Sequence, residues 1–180
     1  MMVLVMGGAS SGKSEYAEKL LMNLSKGEAM TYLATMESMS KASIKRIENH
    51  ARRREGKGFD LIEQEKNISS IAGSCHKNIL LECLPTLVSN EMFENNSDGF
   101  VFHPEVSERI FADVMKLYEY SDNLVIVNND VFSDGKLYDE MTEKYMSELG
   151  TLSCKIAERA DAVVYLTAGL PEMIKGEIKC

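Results

Sequence analysis

Tryptophan is absent from the 180 residues, prolines number three, and no Pro/Gly/Ser-rich linker, low-complexity tract or internal repeat interrupts the chain. Disordered, collagen-like and fibrous roles are excluded, and 44% apolar against 27% charged residues describe a globular chain long enough to bury a core. Long hydrophobic runs are missing as well. The richest, Ile79 to Leu84, is broken by Glu82 and falls far short of the ~20 residues that cross a bilayer, so no membrane span is expected. The apolar opening, Met1 to Met6, has no basic stretch and runs straight into glycines, which predicts neither a signal nor a transit peptide and makes a cytoplasmic location the expectation. Basic charge is in short supply: 20 Lys and Arg face 28 Asp and Glu, a net charge of -8 that argues against a nucleic-acid or anionic-membrane surface. Any anionic ligand must be gripped locally. Cys75, Cys83, Cys154 and Cys180 lack Cys-x-x-Cys spacing, so neither a zinc ligand set nor a disulfide framework is predicted, and the thiols are expected to stay reduced.

What is present is an alternation. Short runs rich in Val, Ile and Leu (Val3 to Met6, Met30 to Ala34, Leu61 to Glu63, Ile79 to Leu84, Leu124 to Asn128, Ala162 to Thr167) are separated by stretches of helical periodicity. This pattern predicts one α/β domain over residues 1–180, a doubly wound, mostly parallel sheet with helices on both faces. The helices are predicted at Lys13 to Leu24, Ser40 to Arg54, Pro104 to Tyr120 and Leu137 to Ala160. In the last of these, Met141, Tyr145, Leu149, Leu152, Ile156 and Ala160 recur at spacings of four and three and form one apolar stripe, read as core. Gly150 interrupts that helix at a cost of about 1 kcal/mol relative to alanine, which predicts a close contact or a kink there.

Residues Gly7, Gly8, Ala9, Ser10, Ser11, Gly12, Lys13 and Ser14 fit the pattern G-x-x-x-x-G-K-[ST] between an apolar strand and a helix. A polyphosphate needs many donors at close range. Glycines offer backbone N–H groups without side chains in the way, at the positive end of a helix dipole. Lys13 is then expected to reach the β and γ oxygens, with the Ser14 hydroxyl on Mg²⁺. The loop predicts nucleotide binding and leaves the reaction open.

Ligands of open α/β sheets sit beyond the carboxyl ends of the strands. Two acids lie there, Glu82 and Asp130, whereas Asp161 precedes its strand. Either could hold Mg²⁺ or take a proton from an attacking hydroxyl. An acid interrupting so apolar a strand as Ile79-Leu80-Leu81 carries a desolvation cost unless it has a cation or donor, which favours a functional Glu82. For Asp130 the functional and structural readings stand level.

Positive charge is concentrated between Lys45 and Lys57, where six basic and two acidic residues give a local balance of +4. On a helix, Arg46, His50 and Arg54 line one face beside an apolar stripe of Ile44, Ile47 and Ala51. Flanking cations disfavour imidazolium and keep the ring neutral and nucleophilic, while guanidinium forks grip phosphate oxygens. Such a histidine can attack an α-phosphate and carry a nucleotidyl group. An ordinary solvated helix face is the alternative for this segment. His76 and His103, in polar turn-like contexts, read as structural or exposed.

Taken in order, these residues resemble the bifunctional adenosylcobinamide kinase/adenosylcobinamide-phosphate guanylyltransferases of cobalamin biosynthesis. The likeness runs through the glycine loop, Tyr32-Leu33-Ala34-Thr35, Arg46-Ile47-Glu48-Asn49-His50-Ala51-Arg52, and Leu80-Leu81-Glu82-Cys83-Leu84 with Val88-Ser89-Asn90. It continues through Ala160-Asp161-Ala162-Val163 and Ala168-Gly169-Leu170-Pro171 to Lys175-Gly176. The resemblance implies a RecA-like P-loop NTPase fold. It also implies phosphorylation of a cobinamide hydroxyl by ATP or GTP, then transfer of GMP from GTP through a histidine that falls on His50. A homo-oligomer, trimeric in known members, is implied too. Three places depart from the family pattern: Asn129-Asp130-Val131-Phe132 where an Asn-Glu-Val-Gly is common, Ser153-Cys154 for an Asn-Gln pair, and Gly58-Phe59-Asp60 in a segment often richer in aromatics. Two other readings remain beside the two-step enzyme: a single-activity P-loop kinase whose basic helix is a lid, and a nucleotide-binding regulator without turnover.

Overall fold

The computed structural model describes residues 1–36, 56–96, 99–131, 136 and 138–178. Seven strands form one sheet: β1 (Met2–Gly7), β2 (Met30–Ala34), β3 (Phe59–Glu63), β4 (Asn78–Glu82), β7 (Asn123–Val127), β8 (Ala162–Thr167) and β9 (Leu170–Lys175), in spatial order β3-β2-β4-β7-β1-β8-β9. All neighbours pair in parallel except β8 with β9. Central strands such as Val3-Leu4-Val5 and Leu124-Val125-Ile126 are buried throughout, because a parallel sheet is covered on both faces and its strands read as continuous apolar runs.

Helix α1 (Lys13–Leu24) packs through Ala17, Leu20, Leu21 and Leu24 onto Val3, Val5, Leu80 and Val125. Helices α2 (Leu84–Met92), α3 (Ser107–Tyr120) and α4 (Glu140–Arg159) cover the opposite face through Leu87, Val114, Leu149 and Ile156 against Leu4, Ile79, Leu81 and Ile126. A doubly wound α/β sheet with helices on both faces is therefore present. The helix expected from Ser40 to Arg54 lies outside the described residues.

Boundaries moved where local chemistry overrides periodicity. Helix α4 starts at Glu140 rather than Leu137, since Asp139 caps it by accepting from the Thr142 N–H at 3.1 Å. Helix α3 starts at Ser107, where the Glu148 carboxylate takes the Val106 and Ser107 N–H groups at 2.9 Å each. The strand expected to run through Leu84 stops at Glu82, and Pro85 sits in the first turn of the unforeseen α2. Also unforeseen were strand β9, the turn of 3₁₀ helix at Ile68–Ile71, and a separate hairpin of β5 (Phe93–Asn96) and β6 (Gly99–Phe102). Helix α4 runs unbroken through Gly150.

The stripe on α4 is core only in part. Leu149, Leu152, Ile156 and Ala160 are buried, but Met141 lines an open groove of about 730 Å³ with Phe102, Pro104, Glu140, Glu143, Lys144 and Ser147. Tyr145 donates to the Pro85 carbonyl at 3.1 Å, and burial pushes its hydroxyl to about 12.

Candidate active site

The glycine loop joins β1 to α1 as predicted, and its glycines do different things. Gly7 has φ +152° and its missing Cβ would lie 2.5 Å from the Leu166 carbonyl oxygen; Gly12, at φ +91°, opens α1. Gly8 needs neither allowance, and the space where its Cβ would stand is open. A lysine aimed at phosphate would stand exposed in its absence. Instead Lys13 is only 5% exposed, with Nζ donating to the Gly8 carbonyl at 2.6 Å and lying 3.4 Å from Ser11 Oγ. The ammonium folds onto the loop because it has carbonyl and hydroxyl acceptors there. Burial lowers its pKa, while Cys83, Glu82 and Asp130 raise it in return.

The loop is braced from the far side. Strands β8 and β9 are joined by Ala168 and Gly169, both with positive φ, which is the two-residue turn that matches strand twist. The Gly169 N–H donates to the Ser11 carbonyl at 2.9 Å. The Ala-Gly-Leu-Pro segment thus clamps the phosphate loop.

Glu82 ends β4, two strands away from β1, and its carboxylate accepts the hydroxyls of Ser14 and Tyr32. Burial raises it to about 7, against the lowering influence of Ser14 and Lys13. Its position is fixed by a latch. Thr35 N–H donates to the Glu82 carbonyl at 3.0 Å, Thr35 Oγ1 donates to the Cys83 carbonyl at 2.9 Å, and the Cys83 N–H donates back to Thr35 Oγ1 at 3.0 Å. Asn90 Nδ2 holds the Thr35 and Glu65 carbonyls at 2.7 and 3.1 Å. Phe59, one of the departures from the family pattern, packs edge-on against Tyr32 at 6.0 Å between centroids and so orients the tyrosine that reaches Glu82. Tyr32, Thr35 and Asn90 stood in the sequence motifs without an assigned role. Their signal was side-chain hydrogen-bonding capacity at strand and helix ends.

Asp130 lies beyond β7, the strand between β1 and β4. Its N–H donates to the Gly7 carbonyl at 2.9 Å and its Oδ2 accepts the Tyr165 hydroxyl at 2.8 Å. Ser153, another departure, is buried, accepts from Asn128 Nδ2 at 2.8 Å and donates to the Leu149 carbonyl. Asp161 sits at the opposite, amino-terminal end of the strands, accepting the Met2 N–H. His76 pairs with Asp60 at 2.6 Å and His103 with Glu94 at 3.5 Å, both partly exposed and remote in role from the loop. Among the described residues Cys75, Cys83 and Cys154 form no disulfide. Among the described residues no helix is long and apolar enough to cross a membrane. His50, Arg46, Arg54, Phe132 and Cys180 lie outside the described residues. Lys57, at the end of the basic run, pairs its ammonium with the buried Glu18 of α1 at 2.5 Å.

A parallel sheet with a phosphate loop after β1 and an acid-terminated strand two places away defines a RecA-like P-loop NTPase. The fold has a counterpart in the KaiC-like protein PH0186 of Pyrococcus horikoshii, with a TM-score of 0.54 and 12% identity over 98% of this chain and 79% of that one. The family described as cobinamide kinase / cobinamide phosphate guanyltransferase matches residues 3–174. The bifunctional adenosylcobalamin biosynthesis protein CobP of Pseudomonas aeruginosa is 30% identical over 97% of each chain. CobU of Escherichia coli, with the same bifunctional description, is 26% identical over 97% of this chain and all of its own. The chain belongs to the cobinamide kinase / cobinamide phosphate guanyltransferase family, and it is an enzyme of the two group transfers which that description names.

Proposed function

We propose that one chain carries out both transfers, with ATP or GTP as phosphoryl donor, adenosylcobinamide as acceptor, and GTP as guanylyl donor. The observation that carries this reading is the convergence on one carboxylate of separate family motifs. Tyr32 and Thr35, Glu82 and Cys83, Asn90 and the glycine loop all meet around Glu82. Phosphoryl transfer asks mainly for positioning and charge neutralisation, which the loop N–H groups and the Lys13 ammonium supply. Ser14 and Glu82 put two oxygen donors at one spot, and a buried carboxyl raised to about 7 fits a hard divalent cation that would keep it ionised. Mg²⁺ held there would offset charge on the β and γ oxygens.

In the second transfer the His50 imidazole attacks the α-phosphorus of GTP and pyrophosphate departs. A phosphate oxygen of adenosylcobinamide phosphate then displaces the histidine, giving adenosylcobinamide-GDP and free His50. Arg46 and Arg54 hold phosphate oxygens during both exchanges. The nucleotide and corrinoid partners, a homo-oligomer that is trimeric by family resemblance, and a cytoplasmic setting belong to the same reading, supported by the likeness along nearly the whole chain. The test gives purified protein ATP with adenosylcobinamide, and GTP labelled at the α-phosphate. Corrinoid-dependent ADP release together with acid-labile, base-stable protein label supports two activities. Release without label leaves a single-activity kinase, and nucleotide binding with neither leaves a regulator.

A further inference from the structure

We propose that Asp130 is the catalytic base of the phosphoryl-transfer step and that Tyr165 is its positioning residue; this rests on the kinase half of the function proposed above. The argument begins with sheet faces. Side chains alternate along a strand, so Tyr32, Leu80 and Glu82 belong to the face covered by α1, whereas Met6 and Asn128 continue the face of Leu4 and Ile126, covered by α2–α4. Tyr165 pairs in register with Met6 and follows Val164, which lies on the α1 face, so it stands on the α2–α4 side. Two carboxylates therefore stand on opposite faces of the sheet, Glu82 beside Ser14 and Asp130 beside Tyr165, and both raise the pKa of Lys13 against its burial.

That separation divides the labour. Both Glu82 oxygens accept hydroxyls, one from the loop serine suited to the metal. Asp130 is tied to the root of the loop through Gly7, and its carboxylate meets Tyr165 of β8, the strand on the other side of β1. The tyrosine from β8 reaches over to hold the Asp130 side chain, donating to Oδ2 at 2.8 Å. The same hydrogen bond pushes the Tyr165 hydroxyl up, so it remains a donor. In the step, the acceptor hydroxyl oxygen bonds to the γ-phosphorus as its proton passes to an Asp130 carboxylate oxygen. The bond from the γ-phosphorus to the β,γ-bridging oxygen breaks, and the nucleoside diphosphate leaves with that electron pair.

Three variants test this: Asp130→Asn, Asp130→Glu and Tyr165→Phe, each assayed for ATP affinity and for the pH profile of phosphoryl transfer to adenosylcobinamide. Asp130→Asn is expected to lose roughly 100-fold or more in kcat while binding ATP within about threefold of wild type. Asp130→Glu should restore much of the rate. Tyr165→Phe removes a donor to the carboxylate, leaving it more basic, so the acidic limb of the profile should move to higher pH with Lys13, Glu82 and Cys83 unchanged around it. It keeps the test alive if Asp130→Asn fails to fold. A wild-type rate in Asp130→Asn, a parallel loss of ATP affinity, or an unmoved limb in Tyr165→Phe overturns the assignment. Absence of transfer by the wild-type enzyme itself overturns the function proposed above and this inference with it.

Discussion

The glycine loop illustrates what single residues can and cannot reveal. From the sequence, all three glycines and Lys13 read alike as phosphate ligands. In space Gly7 and Gly12 serve the backbone, Gly8 leaves an open approach, and Lys13 is already engaged by the loop it belongs to. Gly7→Ala should cost on the order of 2 kcal/mol, from positive φ and the Leu166 carbonyl, as a lowered denaturation midpoint. Gly8→Ala should melt like wild type but bind ATP more weakly, measured by titration calorimetry, because its Cβ fills only the approach. Glu82 gives a third test. Its folded pKa of about 7 exceeds the unfolded 4.5, so the nucleotide-free protein loses stability as pH rises from 4.5 through 7. Glu82→Gln removes that slope and should stabilise the metal-free protein at pH 8 by about 2 kcal/mol, and by far less at pH 5, while depressing Mg²⁺-dependent turnover. Equal stabilisation at both pH values would contradict the burial account.

At the scale of elements, periodicity recovered the buried strands and α1 because a parallel sheet imposes long apolar runs on its sequence. It missed α2 and β9 for opposite reasons. The apolar run of β4 resumes directly after Glu82 with Cys83 and Leu84 at the start of α2, so hydropathy alone cannot mark the turn that Cys83 and Pro85 make. Strand β9 is exposed along its whole length, with Leu170 74% exposed, and carries no alternation to read. The latch between β2 and β4 was equally silent, since hydrogen bonds from Thr35 and Asn90 to backbone have no spacing signature. Thr35→Val keeps the shape and removes the hydroxyl, leaving the Cys83 N–H and carbonyl without it. A loss of about 1–2 kcal/mol in stability is expected, along with slower phosphoryl transfer as Glu82 loses its fixed position. Unchanged kinetics in a destabilised Thr35→Val variant would reduce the latch to a purely structural device.

Across the whole molecule, the function proposed above has an acidic chain meet phosphate in two places: a backbone loop clamped by the β8–β9 turn, and the basic run from Lys45 to Lys57. On that reading the first uses N–H groups and Lys13, and the second supplies guanidinium forks and the histidine. Two such sites are what two phosphorus chemistries on one nucleotide require, attack at the γ-phosphorus by a substrate hydroxyl and at the α-phosphorus by the protein. The separability of these chemistries is the central claim. Its most direct measurement is a pair of assays on one preparation of His50→Ala, scoring protein label from α-labelled GTP after denaturation and phosphoryl transfer to adenosylcobinamide. The account predicts that label disappears while phosphoryl transfer persists near the wild-type rate. Undiminished label, or loss of both activities in a folded variant, would contradict it.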